Sequence, residues 1–317
     1  MQHMNTSPTA PKIAVIGVGG GGGNAINNMI AEADYGVDFI AANTDAQALK
    51  NTAAKRFIQL GPELTGGLGA GADPAIGRQA TIDTMDEIMD HLAGYDMCFI
   101  TAGMGGGTGT GGAPVIAQAC KEKGILTVGV VTLPFSFEGT KRLKAAQQGV
   151  DGLLAAADIV IVIPNQNLLR IANPGTTFDS ALKIADKVLA LGVKSITDLI
   201  LRDGLVNLDF ADVVYVMKGG GRALIGTAEA RGENRASLAA AEAISNPLLG
   251  LPSLKHAKGA LVSISGGRDL TLYEIDEAMT LVREAVSEET DVVMGASFDP
   301  TLEGAFKISV VATGLED

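Results

Sequence analysis

The segment at residues 105–111, which reads GGGTGTG, constrains the fold of this chain more than any other. It follows an apolar stretch, residues 95–101, that predicts a β-strand, and it precedes an alanine-rich stretch, residues 113–121, that predicts a helix. In such a strand-to-helix turn, successive backbone N–H groups converge on an anion, and the positive end of the helix dipole adds to the attraction. The interleaved threonines supply hydroxyl donors that a flexible surface loop does not need. The segment therefore predicts a phosphate-binding site.

Length and composition favour a two-domain protein with a sizeable core, since the chain has 317 residues of which 47% are hydrophobic. No stretch approaches the roughly 18 consecutive apolar residues that span a bilayer. Residues 1–11 lack the basic segment and apolar core of a secretory signal, and we expect them to be a disordered lead. Cys98 and Cys120 form no CxxC pair and predict buried free thiols. We therefore expect a soluble, cytoplasmic protein from a reducing compartment.

The charge and the aromatic content argue against nucleic-acid binding. The formal net charge is −12, which leaves no broad basic surface, and the absence of tryptophan with only 4% aromatic residues argues against base-stacking platforms. With three histidines and no HExxH or Cys/His cluster, we expect no transition-metal site. An acidic chain that binds a polyphosphate must rely on backbone amides, a few cations and a metal ion.

The first half of the chain alternates β-rich runs with alanine-rich helical stretches, which indicates βαβ units, a mainly parallel sheet and helices on both of its faces. The predicted strands are residues 12–16, 37–42, 95–101, 125–132 and 158–163. Ligands of such sheets bind at the carboxyl ends of the strands. Both glycine-rich segments of this chain fall there.

The second half begins with a long predicted helix that starts at residue 178. Its apolar stripe is Leu182, Ala185, Leu189, Val193, Ile196 and Ile200. Thr176 or Thr177 is expected to cap its start, and Gly204 lies just past its end. The elements predicted after it are strands 213–217, 260–265, 291–296 and 307–312 and helices 235–244 and 272–287. We expect the last two strands to pair as a hairpin-like unit.

The first glycine-rich segment, residues 17–24 (GVGGGGGN), leaves an alternative open. Its glycines match the GxGxxG pattern of dinucleotide folds, so an NAD-dependent oxidoreductase is one interpretation. That fold places an acidic residue at the end of the second strand, whereas Asp45 comes later here, and it gives no role to residues 105–111. A P-loop NTPase is excluded because the chain contains no Gly-Lys dipeptide.

In combination, these motifs resemble those of the FtsZ family of bacterial tubulin-like GTPases. GGGTGTG is similar to the family's phosphate-binding signature, and residues 19–24 are similar to its first glycine loop. Residues 43–45 and 66–73 match further nucleotide loops, and residues 207–212 (NLDFAD) resemble its NxDFAD synergy loop. The resemblance extends from about residue 12 to residue 314.

The resemblance implies an α/β fold in which a Rossmann-like, mainly parallel GTP-binding domain is joined by a long central helix to a smaller α+β domain. We expect the GTP-binding domain at residues 12–175, the central helix at 176–203, and the α+β domain with the synergy loop at 204–317.

The resemblance also implies a guanine-nucleotide site. The expected nucleotide-binding residues are Gly20, Gly21, Gly22, Gly23, Asn24, Asn43, Asp45, Ala70, Gly71, Gly103, Gly106, Gly107, Thr108, Gly109, Thr110, Pro134, Glu138, Arg142, Asn165, Leu182 and Asp186. Glu138 and Arg142 would contact the sugar and the phosphates, although their charges also fit an ordinary solvated helix start. Asn165 would lie near the base or ribose, and Asp186 would accept hydrogen bonds from guanine. Leu182 stands where many family members place an aromatic residue, so apolar contact would replace stacking.

Asp209 and Asp212 are the candidate catalytic carboxylates. Two acids three residues apart lie on one face of a helical turn, where they can polarise a water or a cation. The alternative is that Asn207 or Asp209 only caps a helix that begins near Ala211. The resemblance implies that Asn207, Asp209 and Asp212 act on the GTP of the neighbouring subunit. Hydrolysis to GDP and phosphate would then be coupled to head-to-tail assembly into open filaments, with Mg²⁺ bridging the phosphates.

The sequence thus predicts a GTP-hydrolysing, filament-forming protein of bacterial cell division whose partner is itself, with no nucleic-acid partner and no membrane insertion. A short paralogue with a non-division filament role, alone or mixed with a full-length FtsZ, and a non-hydrolysing nucleotide-dependent scaffold are the alternatives. Family members usually continue into a linker and a short peptide that binds membrane tethers. This sequence ends at Asp317 without them, which fits both a trimmed chain and a naturally short paralogue.

Overall fold

The computed structural model describes residues 10–315 except 33–35, 171–174, 176, 202–203, 207, 219 and 247–253, so most of the expected N-terminal lead lies outside the described residues. The strands are β1 (Ile13–Val18), β2 (Asp38–Asn43), β3 (Arg56–Gln59), β4 (Met97–Gly103), β5 (Leu126–Leu133), β6 (Ile159–Pro164), β7 (Gly221–Arg231), β8 (Gly259–Gly266), β9 (Asp291–Phe298) and β10 (Ala305–Leu315). The helices are α1 (Gly19–Glu32), α2 (Ala46–Lys50), α3 (Pro62–Thr65), α4 (Pro74–Asp83), α5 (Met85–His91), α6 (Thr108–Glu122), α7 (Thr140–Ala156), α8 (Phe178–Leu201), α9 (Phe210–Met217), α10 (Arg235–Ile244) and α11 (Leu272–Ala285).

All ten strands form one sheet in the order β3-β2-β1-β4-β5-β6-β7-β10-β8-β9. The strands from β3 to β7 are parallel, β10 runs antiparallel to both β7 and β8, and β9 is parallel to β8. β1, β4, β5 and β6 are almost wholly buried, as expected of parallel strands that helices cover on both faces. The predicted α/β class and the mainly parallel sheet are confirmed.

The helices divide between the two faces of the parallel half of the sheet. On one face, α1 and α8 pack against β1, β4, β5 and β6, and on the other face α4, α5, α6 and α7 do so. The cluster under α8 extends to residues of α9, β7 and β8, while α10 and α11 cover the strands of the C-terminal half. The core therefore holds the carboxyl ends of β1 and β4 side by side, with α1 beginning directly after β1 and α6 beginning after the short turn that follows β4.

The predicted long helix is confirmed as α8, with one departure from its apolar stripe. Ala185, Leu189 and Val193 are buried as expected, and Thr177 Oγ1 caps the helix by accepting a hydrogen bond from Ser180 N at 3.2 Å. Thr176, the other expected cap, lies outside the described residues. Leu182 is not a core residue, since its side chain is 40% exposed.

Two predictions for the second half are wrong. The run 213–217 is rich in β-branched residues, which favour strands, but it lies in helix α9. Val213, Val216 and Met217 are its buried residues, and their spacing of three and four gives the helix one apolar face that outweighs local strand preference. The predicted pairing of residues 291–296 with 307–312 also fails, because β8 lies between β9 and β10.

The glycine-rich segments are more helical than expected, and two strands were not predicted. α1 begins at Gly19 and α6 begins at Thr108, so both runs form the first turns of helices. A Cβ on Gly22 would lie 2.3 Å from the carbonyl oxygen of Thr101 in β4, so only glycine lets α1 pack this close to the sheet. The strands β3 and β7 carry no long apolar run.

Cys98 and Cys120 are buried free thiols, as predicted. The hydrogen bond with the adjacent Cys120 side chain, followed by burial, raises the pKa of the Cys98 thiol well above its ordinary value. Within the described part of the chain, no helix has the length and apolar character needed to cross a membrane.

Candidate functional site

A cleft of about 290 Å³ opens where β1, β4 and β5 end. Its lining residues are Gly20, Gly21, Asn24, Gly103, Met104, Gly106, Gly107, Thr108, Gly109, Thr132, Pro134, Glu138, Arg142, Asn165, Leu182, Ala185 and Asp186. The two glycine-rich segments, the loop after β5 and the start of α8 therefore meet in one place. Ligand sites of doubly wound sheets are expected at this edge.

Two helix N-termini lie next to each other in the cleft wall. β1 and β4 are paired in register, with Val18 opposite Ala102, so the starts of α1 and α6 are neighbours. The first N–H groups of a helix have no acceptor within the helix, and its dipole places a partial positive charge there. Together they form a binding surface for an extended anion such as a chain of phosphates.

The glycines leave the backbone of this wall uncovered. At Gly20 and Gly106, an added Cβ would meet no described atom within 4 Å, so a side chain there would project into open space. Gly107 packs closely against the 66–73 segment, since a Cβ on it would lie 2.8 Å from Ala70 Cβ and 2.9 Å from Asp73 N. The 66–73 segment thus supports the 105–111 segment, and Ala70 does not itself line the cleft.

The two threonines of the 105–111 segment have different roles. Thr110 Oγ1 accepts a hydrogen bond from Gly105 N at 2.8 Å and so holds the turn together. Thr108 lines the cleft, and its Oγ1 lies 2.6 Å from Thr44 Oγ1. Of the pair, only Thr108 lines the cleft.

Glu138 and Arg142 form one ionic wall of the cleft. Arg142 Nε lies 3.1 Å from Glu138 Oε2, and Phe135 N donates a hydrogen bond to Glu138 Oε1 at 2.8 Å. The Glu138 side chain is only 19% exposed, which distinguishes it from a solvated helix-start charge. Arg142 is half exposed and supplies a cation at the mouth of the cleft.

Asp186 and Asn165 are polar groups that fit a ligand with N–H donors. Burial raises the pKa of Asp186 to about 6, although the hydrogen bond from Asn28 Nδ2 to its Oδ2, 3.0 Å long, acts in the opposite direction. Asn165 is buried, and among the described residues its Oδ1 has no hydrogen-bond partner. Since buried polar atoms are almost always paired, this oxygen marks a position for a donor from a ligand.

Several expected nucleotide-binding residues lie outside the cleft lining. Gly23 and Asn43 line a neighbouring cavity of about 150 Å³, and Gly22 packs against β4. Asp45 is the N-cap of α2, where its Oδ1 accepts from Gln47 N at 2.8 Å and Ala48 N at 3.2 Å. Asp45 is therefore engaged in capping, which disfavours the ribose-binding role of a dinucleotide fold. Gly71 stands in the 66–73 segment beside Ala70.

The candidate catalytic carboxylates are remote from the cleft lining of their own chain. Asp209 and Asp212 are exposed at the start of α9, which packs on β8 and β9. Asp209 occupies the N-cap position, but its side chain makes no capping bond to the described residues, so capping alone does not account for it. Asn207 lies outside the described residues.

Sequence reasoning missed five residues of the site. Met104, Thr132 and Ala185 line the cleft, and Ala185 was recognised only as part of the apolar stripe of α8. Thr44 and Asn28 act through hydrogen bonds to Thr108 and Asp186. Thr44 stands inside the segment 43–45 that resembles a nucleotide loop, whereas Asn28 lies in a helix with no signal of its own.

Over the described ranges, no group of three or more His, Cys, Asp or Glu side chains is arranged to hold a metal ion. A cation at this site would need ligands from the phosphates that it accompanies. Thr108, which lines the cleft, carries a hydroxyl oxygen, and oxygen is the ligand type that a hard ion such as Mg²⁺ takes.

Two family models match the chain. One, described as the GTPase domain of the Tubulin/FtsZ family, covers residues 12–173, and the other, described as the C-terminal domain of the FtsZ family, covers residues 221–316. Together they include most of the cleft lining and the strands β7 to β10, while Leu182, Ala185 and Asp186 lie between the two matches. The cleft lining up to Asn165 falls within the first match.

Curated relatives and solved structures agree with these matches. "Cell division protein FtsZ 2" of Rhizobium meliloti is 66% identical over 96% of this chain and 88% of its own length. "Cell division protein FtsZ 1" of the same organism is 58% identical over 100% of this chain, which spans only 54% of that relative. The solved FtsZ dimer of M. jannaschii is 43% identical, with a TM-score of 0.92 over 98% of this chain and 90% of that one.

Proposed function

The chain belongs to the tubulin/FtsZ family, and from this premise we propose that it is a GTPase of the bacterial cell-division cytoskeleton that polymerises head-to-tail in the cytoplasm. One observation carries the proposal: the cleft unites two glycine-rich helix starts, which suit phosphates, with Asp186 and Asn165, which suit a base bearing N–H groups. A site that binds only an anion would not require Asp186 and Asn165.

The phosphate chain of GTP would lie against the starts of α1 and α6. Gly20 and Gly21 offer backbone N–H groups from one side, and Gly106, Gly107 and Thr108 offer them from the other. Arg142 adds a positive charge in an otherwise acidic protein. Mg²⁺ bridging the phosphates would supply the remaining charge neutralisation.

The guanine base would lie between Asn24 and the start of α8. The ionised Asp186 carboxylate accepts hydrogen bonds from the ring N–H and the exocyclic amine of guanine, whereas adenine has no N–H at the ring position. Pairing this partly buried carboxylate with two donors gives discrimination, because adenine would leave acceptor sites of Asp186 without a donor from the base. Leu182 supplies apolar contact to the base in place of aromatic stacking.

We propose that hydrolysis takes place between subunits. Asp209 and Asp212, with Asn207, would approach the terminal phosphate from the neighbouring chain and orient the attacking water. Their exposure at the start of α9, away from their own cleft, supports a role in another subunit. Catalysis of phosphoryl transfer depends mainly on such positioning and on charge stabilisation.

A second copy of this chain is the proposed partner. A head-to-tail contact joins two different surfaces and so propagates as an open filament. In this arrangement, residues 12–175 hold most of the nucleotide site, the connecting helix 176–203 adds Leu182 and Asp186 to it, and 204–317 carry the loop that acts on the next subunit. A full-length FtsZ is the alternative partner, since one organism has two relatives of this chain, FtsZ 2 (66% identical) and FtsZ 1 (58% identical).

Phosphate release from GTP, measured across a range of protein concentrations, tests the proposal. We expect a threshold concentration, above which each added subunit contributes constant turnover, because the active site requires two chains. Asp212→Ala should abolish turnover and leave GTP affinity unchanged. Turnover per subunit that stays flat down to the lowest concentration would mean that each chain holds a complete site.

A further inference from the structure

Thr44 is a buried residue that touches the nucleotide cleft only through another side chain. Its Oγ1 lies 2.6 Å from Thr108 Oγ1, a short hydrogen bond in which either oxygen can be the donor. Thr44 is 0% exposed and Thr108 is 9% exposed. Thr108 lines the cleft, whereas Thr44 does not. The two hydroxyls therefore connect the protein interior with a residue of the cleft wall.

The backbone around Thr44 is fixed by bonds from the neighbouring segment. The carbonyl oxygen of Thr44 accepts from Thr65 Oγ1 and from Gly69 N, both at 3.3 Å. The preceding residue is held as well, since Leu60 N donates to Asn43 O at 2.9 Å. The Thr44 hydroxyl is thus held at a set position beside Thr108.

The proton count of this pair has a direct consequence for a bound phosphate. Each hydroxyl has one proton to donate, and a phosphate oxygen offers only acceptor sites. If Thr108 donated its proton to Thr44, only the lone pairs of the Thr108 oxygen would face the phosphate. If Thr44 donates to Thr108, the proton of Thr108 is free to point into the cleft. The second arrangement gives both hydroxyl protons an acceptor when phosphate is bound.

We propose that Thr44 is a positioning residue for the nucleotide, one that donates to Thr108 and thereby directs the Thr108 proton to a phosphate oxygen. The inference rests on the proposed function, because it assigns a phosphate to the cleft. Hydrogen bonds in such a chain polarise and strengthen one another in a buried site. Thr44 therefore contributes to affinity without touching the ligand.

Three substitutions of Thr44 test the role of its hydroxyl, with GTP and inorganic tripolyphosphate as probes. Thr44→Val keeps the β-branched shape and removes the hydroxyl, while Thr44→Ser keeps the hydroxyl. We expect Thr44→Val to raise the Kd of both probes about five- to tenfold, as for loss of one hydrogen bond. Thr44→Ser should bind like the wild type. Thr44→Ala should repeat the loss if the valine variant does not fold.

The double variant Thr44→Val/Thr108→Val separates this role from a general structural one. If Thr44 acts through Thr108, the double variant binds no more weakly than Thr108→Val alone. Thermal unfolding without ligand checks that all five variants are folded: the three Thr44 substitutions, Thr108→Val and the double variant. Additive losses, wild-type affinity in Thr44→Val, or equal losses in Thr44→Val and Thr44→Ser would each overturn the inference.

The two probes distinguish this inference from the proposed function. A wild-type chain that binds tripolyphosphate but not GTP contradicts the guanine assignment, while the comparison of Thr44→Val with Thr44→Ser on tripolyphosphate still decides the role of Thr44. A wild-type chain that binds neither probe contradicts both.

Discussion

At the scale of single residues, the raised pKa of Asp186 makes guanine binding dependent on pH. The carboxyl group accepts from guanine only when ionised, and burial raises its pKa to about 6. We therefore expect the Kd for GTP to rise as the pH is lowered from 7.5 through 6 to 5, approaching a tenfold rise per unit below the pKa. Titration of the protein with GTP by calorimetry at each pH measures this dependence.

The terminal phosphate of GTP also titrates near this range, so Asp186→Asn serves as the control. The amide keeps the shape but has no proton equilibrium, and only the part of the pH dependence that comes from phosphate should remain in this variant. Its GTP affinity should be low throughout. Identical pH profiles for the variant and the wild type would show that Asp186 does not meet the base.

The sequence predicts the residues that touch a ligand better than it predicts the residues that hold those side chains in position. Glu138, Arg142 and Asn165 were assigned through resemblance to a family motif, and all three line the cleft. Asn28 and Thr44 act on Asp186 and Thr108 over hydrogen bonds between segments far apart in the chain. A one-dimensional pattern contains no information about such pairs, because they depend on how α1, α8 and the loop after β2 pack.

At the scale of elements, amphipathic helices and buried parallel strands were predictable because each carries its own periodicity. α10 matches its prediction at both ends, and α8 follows its apolar stripe from Ala185 onward. α9 was assigned to a strand because Val213–Met217 is a short apolar run, which periodicity alone does not distinguish from a buried helix. Its true identity depends on contacts with β8 and β9.

The segment that leads to Asp209 is attached to the edge of the sheet by two backbone hydrogen bonds. Val206 N donates to Ala296 O at 3.2 Å, and Ala296 N donates to Val206 O at 3.1 Å. Gly295 in β9 permits this approach, because a Cβ on it would lie 2.9 Å from Leu199 Cδ2 and 3.4 Å from Val206 O. This attachment fixes the start of α9 and therefore the position of its carboxylates.

We predict that Val206→Pro lowers GTP turnover about tenfold or more while the Kd for GTP stays the same. Proline removes the N–H that bonds to Ala296 O, so the loop loses its attachment, and small displacements of catalytic groups are costly. Val206→Ala is the matched control because it keeps both backbone bonds. Steady-state turnover and GTP binding are measured on both variants. An equal loss of turnover in the two would assign the effect to the side chain and contradict the role of the attachment.

At the scale of the whole molecule, one continuous sheet connects the cleft to the C-terminal strands. β6 and β7 join the halves through three paired positions, and β10 inserts between β7 and β8. The alternation of predicted strands and helices indicated a mainly parallel sheet, but it did not indicate that β10 lies between β7 and β8. Pairing of strands distant in sequence is decided by the assembled core, where several orders satisfy the same local patterns.

Separation of the cleft from Asp209 and Asp212 predicts that two inactive variants restore activity to each other. Asp212→Ala keeps the cleft, and Gly106→Val places a side chain in the open space beside the phosphate-binding wall without meeting a described protein atom. Each alone should release no phosphate. Mixed in equal amounts, they should recover up to about a quarter of wild-type turnover, because random pairing brings an intact cleft to an intact loop at one contact in four.

A mixture of Asp212→Ala with Asp209→Ala is the matched control for this complementation. Both lesions lie in the same loop, so every contact lacks one carboxylate and no turnover should return. Sedimentation with GTP verifies that both members of each mixture enter filaments. Recovery in the control mixture, or its absence in the first mixture despite co-sedimentation, would mean that the loop does not act on the next subunit. Recovery only in the mixture of Asp212→Ala with Gly106→Val requires that the carboxylates of one chain serve the nucleotide of another. No single chain in that mixture contains both an intact cleft and an intact loop.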